Sequence, residues 1–370
     1  MHLITEEDFL KQFQHDKIHL SSFQVRTSNG GLVKIKDYVK QHNIPRSDIK
    51  LLLDHIKTRN EYLERLYNTS LQPVDPIRII EQTMPISKLS NNQHVEYKNI
   101  LRNMYFREIL QHTQSGLANL PSFLNVLEDL YLRGIVDYKI LTPSGRHYLR
   151  EGRIGSVFSS LYFRASILNP YLIYSLNHRV LKGERIFTPT LGWSAYCYGF
   201  MECEFVKEYV GTDVVPKVCR DTQKFAQKFY PEKTIDIWCS PSEDLYKNNV
   251  FTKKYHKYFD VVFFSPPYFQ LEVYPGNRQS TFRYKTYEEW LDKYWKITIK
   301  LCYRVLKSTG RLCYIVSNYG DKTELVKDMN NITQQLGFIP YKTIKMANKA
   351  VQVNTSQTDN SETICVFLRP

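Results

Sequence analysis

The sequence predicts an α/β protein: a doubly wound, largely parallel sheet over residues 151–370, preceded by a mainly helical domain over residues 1–150. Three observations predict it. From residue 151 onward, strand and helix patterns alternate, as a parallel sheet with crossover connections requires. The run Phe259-Asp260-Val261-Val262-Phe263 reads as a buried strand that leads straight into Ser265-Pro266-Pro267-Tyr268. Before residue 150, apolar residues recur instead at helical spacing.

In the amino-terminal part, residues 48–66 and 97–110 carry that helical spacing. Residues 120–134 start a helix with Pro121 near its first turn and stop it at Gly134. Residues 135–141 read as a short strand and Pro143-Ser144-Gly145-Arg146 as a turn. Helices followed by a basic hairpin resemble a winged-helix module; a helical cap with no nucleic-acid role fits the same residues. In the second part, strands are expected at 185–189, 209–213, 234–239 and 260–264, with helices at 193–208 and up to Phe229. Residues 287–306 read as one long helix that stops at Ser308-Thr309-Gly310, followed by a strand at 311–316. The last strands are expected at 341–346 and 363–368, with a mobile polar loop at 354–361 between them.

A chain of 370 residues is long enough for two domains, one with a full α/β core. Its 42% hydrophobic and 24% charged residues are ordinary for a soluble protein. No apolar run approaches the roughly 20 residues of a membrane-spanning helix. The acidic, polar start Met1-His2-Leu3-Ile4-Thr5-Glu6-Glu7-Asp8 is unlike a secretory signal, so an intracellular location is expected. A net charge of +13 fits a polyanionic partner without requiring one. The seven cysteines form no CxxC pair, so reduced, buried thiols are expected and no metal site.

The Ser265-Pro266-Pro267-Tyr268 run carries the chemistry. Two prolines fix φ and supply no N–H, which leaves local carbonyls free to accept. The Ser265 hydroxyl adds an acceptor and the Tyr268 ring a face for stacking. Such a cup suits a planar base held by its exocyclic amino group. That nitrogen is a poor nucleophile, because its lone pair is delocalised into the ring. Acceptors on its hydrogens, from Ser265 and the Pro266 carbonyl, favour a pyramidal nitrogen. A Pro-Pro turn after any buried strand is the alternative reading.

The order of these motifs resembles the S-adenosylmethionine-dependent DNA amino-methyltransferases, which modify cytosine N4 or adenine N6. The branch common in phages and large DNA viruses, with Ser-Pro-Pro-Tyr-Phe at the catalytic position, is most similar. The resemblance covers roughly residues 150–370 and implies a Rossmann-like methyltransferase sheet with S-adenosylmethionine as cofactor. It implies that Ser265, Pro266, Pro267 and Tyr268 are catalytic, with Ser265 also beside the cofactor and Tyr268 stacking on a base flipped out of duplex DNA.

On the cofactor side, the resemblance places Thr188, Pro189, Thr190, Gly192 and Trp193 in the loop after the first strand. Thr188 stands where the family has an acidic residue, so the usual contact to the methionine amino group lacks its carboxylate. Asp213 closes the second strand, where the family's acid accepts from the ribose hydroxyls; a helix cap is its other reading. Glu243 or Asp244 is expected at the cofactor adenine, and Asn169 over the methionine moiety. Lys253, Lys254 and Lys257 before the catalytic strand, and Arg278, Arg283 and Lys285 after it, are expected to meet DNA phosphates. A solvated charged face fits them too. Cytosine and adenine both remain open as targets. So do an RNA substrate and a non-catalytic nucleic-acid-binding module that keeps the fold.

Overall fold

A computed structural model describes residues 1–14, 22–117, 120–319, 324–347 and 362–370. The polar loop expected at 354–361 lies outside them. Twelve strands occur among the described residues: β1 Gln24–Arg26, β2 Leu32–Lys34, β3 Gln114–Ser115, β4 Ile135–Asp137, β5 Arg185–Thr188, β6 Glu208–Asp213, β7 Thr234–Cys239, β8 Phe259–Phe264, β9 Glu272–Val273, β10 Leu306–Val316, β11 Ile339–Lys345 and β12 Thr363–Leu368.

Seven of these form the main sheet, in the order β11-β12-β10-β8-β5-β6-β7. Every pairing from β10 to β7 is parallel; β12 runs antiparallel between β10 and β11. Strand order reverses at β5, whose two neighbours are β6 and β8. Such a reversal opens a crevice at the carboxyl ends of the strands, which is where open α/β sheets bind ligands. The expected doubly wound α/β sheet is therefore present. β8 shows why it was predictable: Phe259, Val261, Val262, Phe263 and Phe264 are all fully buried, covered on both faces as a central parallel strand must be.

The elements differ from expectation in places. The helix expected over 48–66 is two helices, Arg46–Lys57 and Arg59–Ser70. Thr58 at the junction has φ −96° and ψ 24°, and its hydroxyl bonds back to the Asp54 carbonyl, a competitor to helix continuation. No turn ends the segment after β4. Thr142 caps a helix over Pro143–Arg150 by accepting from Gly145 N, with Pro143 at its first position. The basic hairpin expected at 135–146 is thus a three-residue strand, a 3-10 turn over Tyr138–Leu141 and this helix. Instead β4 joins β1 and β2 in a small sheet of order β2-β1-β4. The helix expected over 287–306 is continuous helical structure, but its middle, Trp290–Trp295, is a π segment. Its wider turns bring positions five apart nearly onto one face, and Trp290 and Trp295 are both fully buried.

Division of the chain at residue 150 falls between helices Pro143–Arg150 and Ile154–Leu161, which pack on each other. One continuous apolar core includes residues from both parts. All seven cysteines are free thiols; six are buried and Cys239 is exposed. No helix among the described residues is long and apolar enough to cross a membrane.

Candidate active site

Each strand of the sheet's middle delivers one loop to the crevice. β5 ends in the loop 189–194, β6 in Asp213, β7 in Ser240-Pro241-Ser242-Glu243, β8 in the Ser-Pro-Pro-Tyr run and β10 in Ser317. Together they line a cavity of about 340 Å³. Ser265, Pro266, Pro267 and Tyr268 form part of its wall, as do Pro189, Thr190, Gly192, Trp193, Asp213, Glu243 and Arg278.

At the Ser-Pro-Pro-Tyr end, Ser265 Oγ and the Pro266 carbonyl make no hydrogen bond with a described residue, so both acceptors are available. The Ser265 backbone is held on both sides by one hydroxyl: Tyr196 Oη accepts from Ser265 N at 3.1 Å and donates to Ser265 O at 3.2 Å. Tyr268 is fixed by the Ser317 amide, which donates to its hydroxyl at 2.8 Å, and by Tyr319, stacked on it at 5.6 Å between ring centroids. Burial pushes the Tyr268 hydroxyl well above its ordinary pKa, so it stays neutral.

At the other end, Asp213 braces two loops. Its carboxylate accepts from Leu191 N at 3.1 Å and Val215 N at 3.0 Å. Glu243 is held by Arg283 at 2.8 Å and by the Tyr284 hydroxyl at 3.2 Å. Desolvation raises the pKa of Asp213, of Glu243 and of Glu272, a further carboxyl on the cavity wall. Four carboxylates line the cavity (Asp213, Glu243, Glu272, Glu362) against one cation, Arg278, among the described residues. Arg283 already offsets Glu243, and the smaller excess that is left favours a guest carrying positive charge.

The loop 189–194 is strained where it turns. Gly192, Trp193 and Ser194 follow one another at φ of +52°, +58° and +65°. Only the first of these is a residue that adopts such a φ freely, so the fold must hold the other two in place. Ser194 Oγ bonds to the Tyr105 and Thr222 hydroxyls at 2.7 and 2.6 Å, and the Trp193 ring lies between Tyr105 and Tyr274. A Cβ on Gly192 would come within 2.3 Å of the Tyr196 ring.

Several expected site residues lie elsewhere. Thr188 is fully buried, its hydroxyl bonded to Tyr209 at 2.6 Å, and does not line the cavity. Asn169 also misses it: its side chain caps the helix Pro170–Leu176 and donates to the Gln93 and His94 carbonyls. Its neighbours Ser166, Ile167 and Leu168 line the cavity instead. Between the two acids after β7, Glu243 faces the cavity, while Asp244 pairs with Arg283 at 2.8 Å.

Among the basic residues, Arg283 is spent on Glu243 and Asp244, and Lys285 lies over the Phe282 ring at 4.4 Å. Lys253 and Lys254 belong to the helix Asn249–Lys254, where Lys254 pairs with Asp236 at 2.9 Å. Lys257 lies just before β8, its amide bonded to the Arg304 carbonyl, whereas the cup follows the other end of that strand. Lys253, Lys254 and Lys257, expected at DNA phosphates, therefore lie away from the cup, because residues preceding a parallel strand sit at its amino end.

Residues the sequence reading missed include Tyr196, Glu272 and Tyr294, all on the cavity wall. Glu272 accepts from Ser166 N at 2.9 Å and from the Tyr274 hydroxyl. The Tyr294 hydroxyl is buried with no hydrogen-bond partner among the described residues. Tyr196 stands four residues after Gly192, one helical turn on, which is the only local hint of its position. Outside the cavity, Glu81, His94 and Glu96 bring potential ligand atoms together, and His94 pairs with both acids.

No protein-family model and no curated protein matches the chain. Among solved structures, it is similar to a TehB-like SAM-dependent methyltransferase from Corynebacterium glutamicum, at 13% identity and a TM-score of 0.34, over 61% of this chain and 98% of that one. A methyltransferase from Pyrococcus furiosus shares 17% identity at a TM-score of 0.35, over 54% of this chain and 82% of that one. A third is the Burkholderia thailandensis 1,6-didemethyltoxoflavin-N1-methyltransferase, solved with 1,6-didemethyltoxoflavin and S-adenosylhomocysteine. It shares 10% identity at a TM-score of 0.35, over 53% of this chain and 76% of that one. Likenesses this distant assign nothing at the site.

Proposed function

We propose that the protein transfers a methyl group from S-adenosylmethionine to the exocyclic amino group of a base flipped out of double-stranded DNA, cytosine N4 or adenine N6. The observation that carries this reading is the pair of unengaged acceptors, Ser265 Oγ and the Pro266 carbonyl, on the wall of a cavity that Asp213, Glu243, Glu272 and Glu362 also line. The cavity's residues fit the cofactor. Asp213 and Glu243 stand at the carboxyl ends of β6 and β7, where a nucleoside is bound in open α/β sheets. Tyr294 offers a buried hydroxyl that has no other partner. When bound, the cofactor supplies an electrophilic methyl group on a positively charged sulfur, which the four carboxylates favour.

The chain's own work is positioning and electrostatics. Ser265 Oγ and the Pro266 carbonyl accept the two amino hydrogens and so turn the nitrogen lone pair out of the ring plane. Positive charge that develops on that nitrogen is stabilised by the same two acceptors. Tyr268 presents its ring to the base, with its own tilt set by Ser317 and Tyr319. Tyr196 keeps the Ser265 backbone from drifting.

Nucleoside mass spectrometry of DNA incubated with the protein and S-adenosylmethionine tests the reading. N4-methylcytosine or N6-methyladenine is expected. Ser265→Ala is expected to slow the reaction about a hundredfold, the scale for losing one transition-state hydrogen-bonding group. Cofactor affinity by calorimetry should stay within a few-fold. Absence of any methylated base, or undiminished methylation by the variant, overturns the proposal.

A further inference from the structure

Glu272 is a carboxyl on the cavity wall without a cation of its own: among the described residues it forms no ion pair. Ser166 N donates to its Oε1 at 2.9 Å and the Tyr274 hydroxyl donates to its Oε2. Each oxygen thus has one neutral donor and keeps a lone pair for another. Two other carboxyls of the wall are engaged differently. Glu243 is paired with Arg283, and Asp213 accepts from the Leu191 and Val215 amides of the loops that it braces.

Contacts place Glu272 beside the loop after β5. The Tyr274 ring, whose hydroxyl it receives, meets the Trp193 ring edge-on at 5.7 Å between centroids. Trp193 belongs to that loop, and both it and the stretch Ser166-Ile167-Leu168 line the cavity. From the amino-terminal part, β3 fixes the backbone of β9, with Ser115 opposite Glu272. A carboxylate enclosed by such neighbours and lacking a cation is costly, and a cationic guest offsets that cost.

β5 lies between β8 and β6 in the sheet. A cofactor whose nucleoside meets Asp213 and Glu243, and whose methyl group faces the cup after β8, therefore crosses β5. What remains of it, an amino acid with an α-ammonium group, has the loop 189–194 and the segments packed on that loop for walls. Residues 188–201, which span this loop and the helix after it, contain no acidic side chain. A carboxylate for the ammonium has to come from another segment, and Tyr274 holds Glu272 at that place. An ammonium brings three N–H donors to oxygens with lone pairs to spare, whereas a sulfonium has none to give.

We propose that Glu272 anchors the α-ammonium group of S-adenosylmethionine through charge-assisted hydrogen bonds. This rests on the cofactor of the reading above and not on its nucleic acid.

Isothermal titration calorimetry of the full chain with three ligands tests the anchor. S-adenosylmethionine carries both the sulfonium and the ammonium, S-adenosylhomocysteine only the ammonium, and 5′-methylthioadenosine neither. Glu272→Gln keeps the side chain's size and its means of bonding Ser166 and Tyr274. It is expected to raise Kd about tenfold for S-adenosylmethionine and for S-adenosylhomocysteine alike, the scale for one hydrogen bond to a charged group. Kd for 5′-methylthioadenosine should stay within about twofold, which also shows that the variant is folded. Weakening of S-adenosylmethionine alone would assign Glu272 to the sulfonium and overturn the anchor. Equal weakening of all three ligands would make Glu272 a buttress of the cavity, and unchanged affinities would remove it from the site; either result overturns the proposal. If wild type binds none of the three, the anchor and the functional reading fall together. If the expected pattern appears but DNA gains no methylated base, the anchor stands and the nucleic-acid reading falls.

Discussion

Tyr196 and Ser265 are separated by 69 residues in sequence but share two hydrogen bonds through one phenol oxygen. That bond pair joins the helix Ala195–Met201, which follows the loop after β5, to the loop after β8. Tyr196→Phe removes the hydroxyl but keeps the ring that packs on Phe263 at 5.1 Å. It leaves the Ser265 amide short of a partner, a loss of about 1–3 kcal/mol in stability. The rate should drop roughly tenfold while KM for S-adenosylmethionine stays within about twofold, since Tyr196 acts through Ser265. Steady-state kinetics with both substrates varied checks this; a pure KM effect would show that Tyr196 serves the cofactor instead.

What could be read at this scale followed from local chemistry. Ser-Pro-Pro-Tyr announces its carbonyls and its ring without help from distant residues. Asn169 was misjudged for the complementary reason: an Asn just before Pro170 caps a helix, and that local demand takes its side chain out of the cavity. Tyr196 and Glu272 were illegible, because each matters only through partners far along the chain. The alternation of strands and helices after residue 184 was legible, since buried parallel strands are continuous apolar runs. Their direction was the part left unused: it places Lys253, Lys254 and Lys257 before β8, away from the cup.

Among the elements, a ladder of only two residue pairs bears directly on the cavity wall. β3 pairs antiparallel with β9, Gln114 opposite Val273 and Ser115 opposite Glu272, and Gly116 N donates to the Leu271 carbonyl at 3.2 Å. This two-residue ladder ties the segment after the cup to the amino-terminal part and sets the backbone that carries Glu272. Gly116 is required by close approach: a Cβ there would lie 1.9 Å from the Gln270 carbonyl oxygen, a backbone atom that cannot swing aside. Gly116→Ala should therefore part β3 from β9 and loosen the segment from Leu271 to Arg278. Limited trypsin digestion is expected to cut after Arg278 several-fold faster than in wild type. An unchanged digestion rate would mean that the ladder does not restrain this segment.

For the whole molecule, charge is sorted by position: a chain of net charge +13 encloses a cavity lined, among the described residues, by four carboxyls and one cation. Under the proposed function, the basic exterior would draw in a polyanion while the acidic interior would favour a cationic cofactor. The amino-terminal part shares one apolar core with the sheet and holds the loop after β5 in place. Tyr105 supports the strained turn at Trp193 and Ser194, Lys217 donates to the Met104 carbonyl at 2.8 Å, and Glu202 receives Arg78 at 3.2 Å and the Ile79 amide at 2.6 Å. Without those contacts the left-handed pair after Gly192 keeps only Thr222 and Tyr274 to hold it, and the buried face around Trp193 meets water. A fragment of residues 151–370 is therefore expected to lack a cooperative thermal transition by circular dichroism and to bind no S-adenosylmethionine, whereas the full chain should unfold in one transition. A fragment that melts cooperatively and binds the cofactor would show that the sheet holds its cofactor loop unaided, and that the amino-terminal part serves the nucleic acid alone.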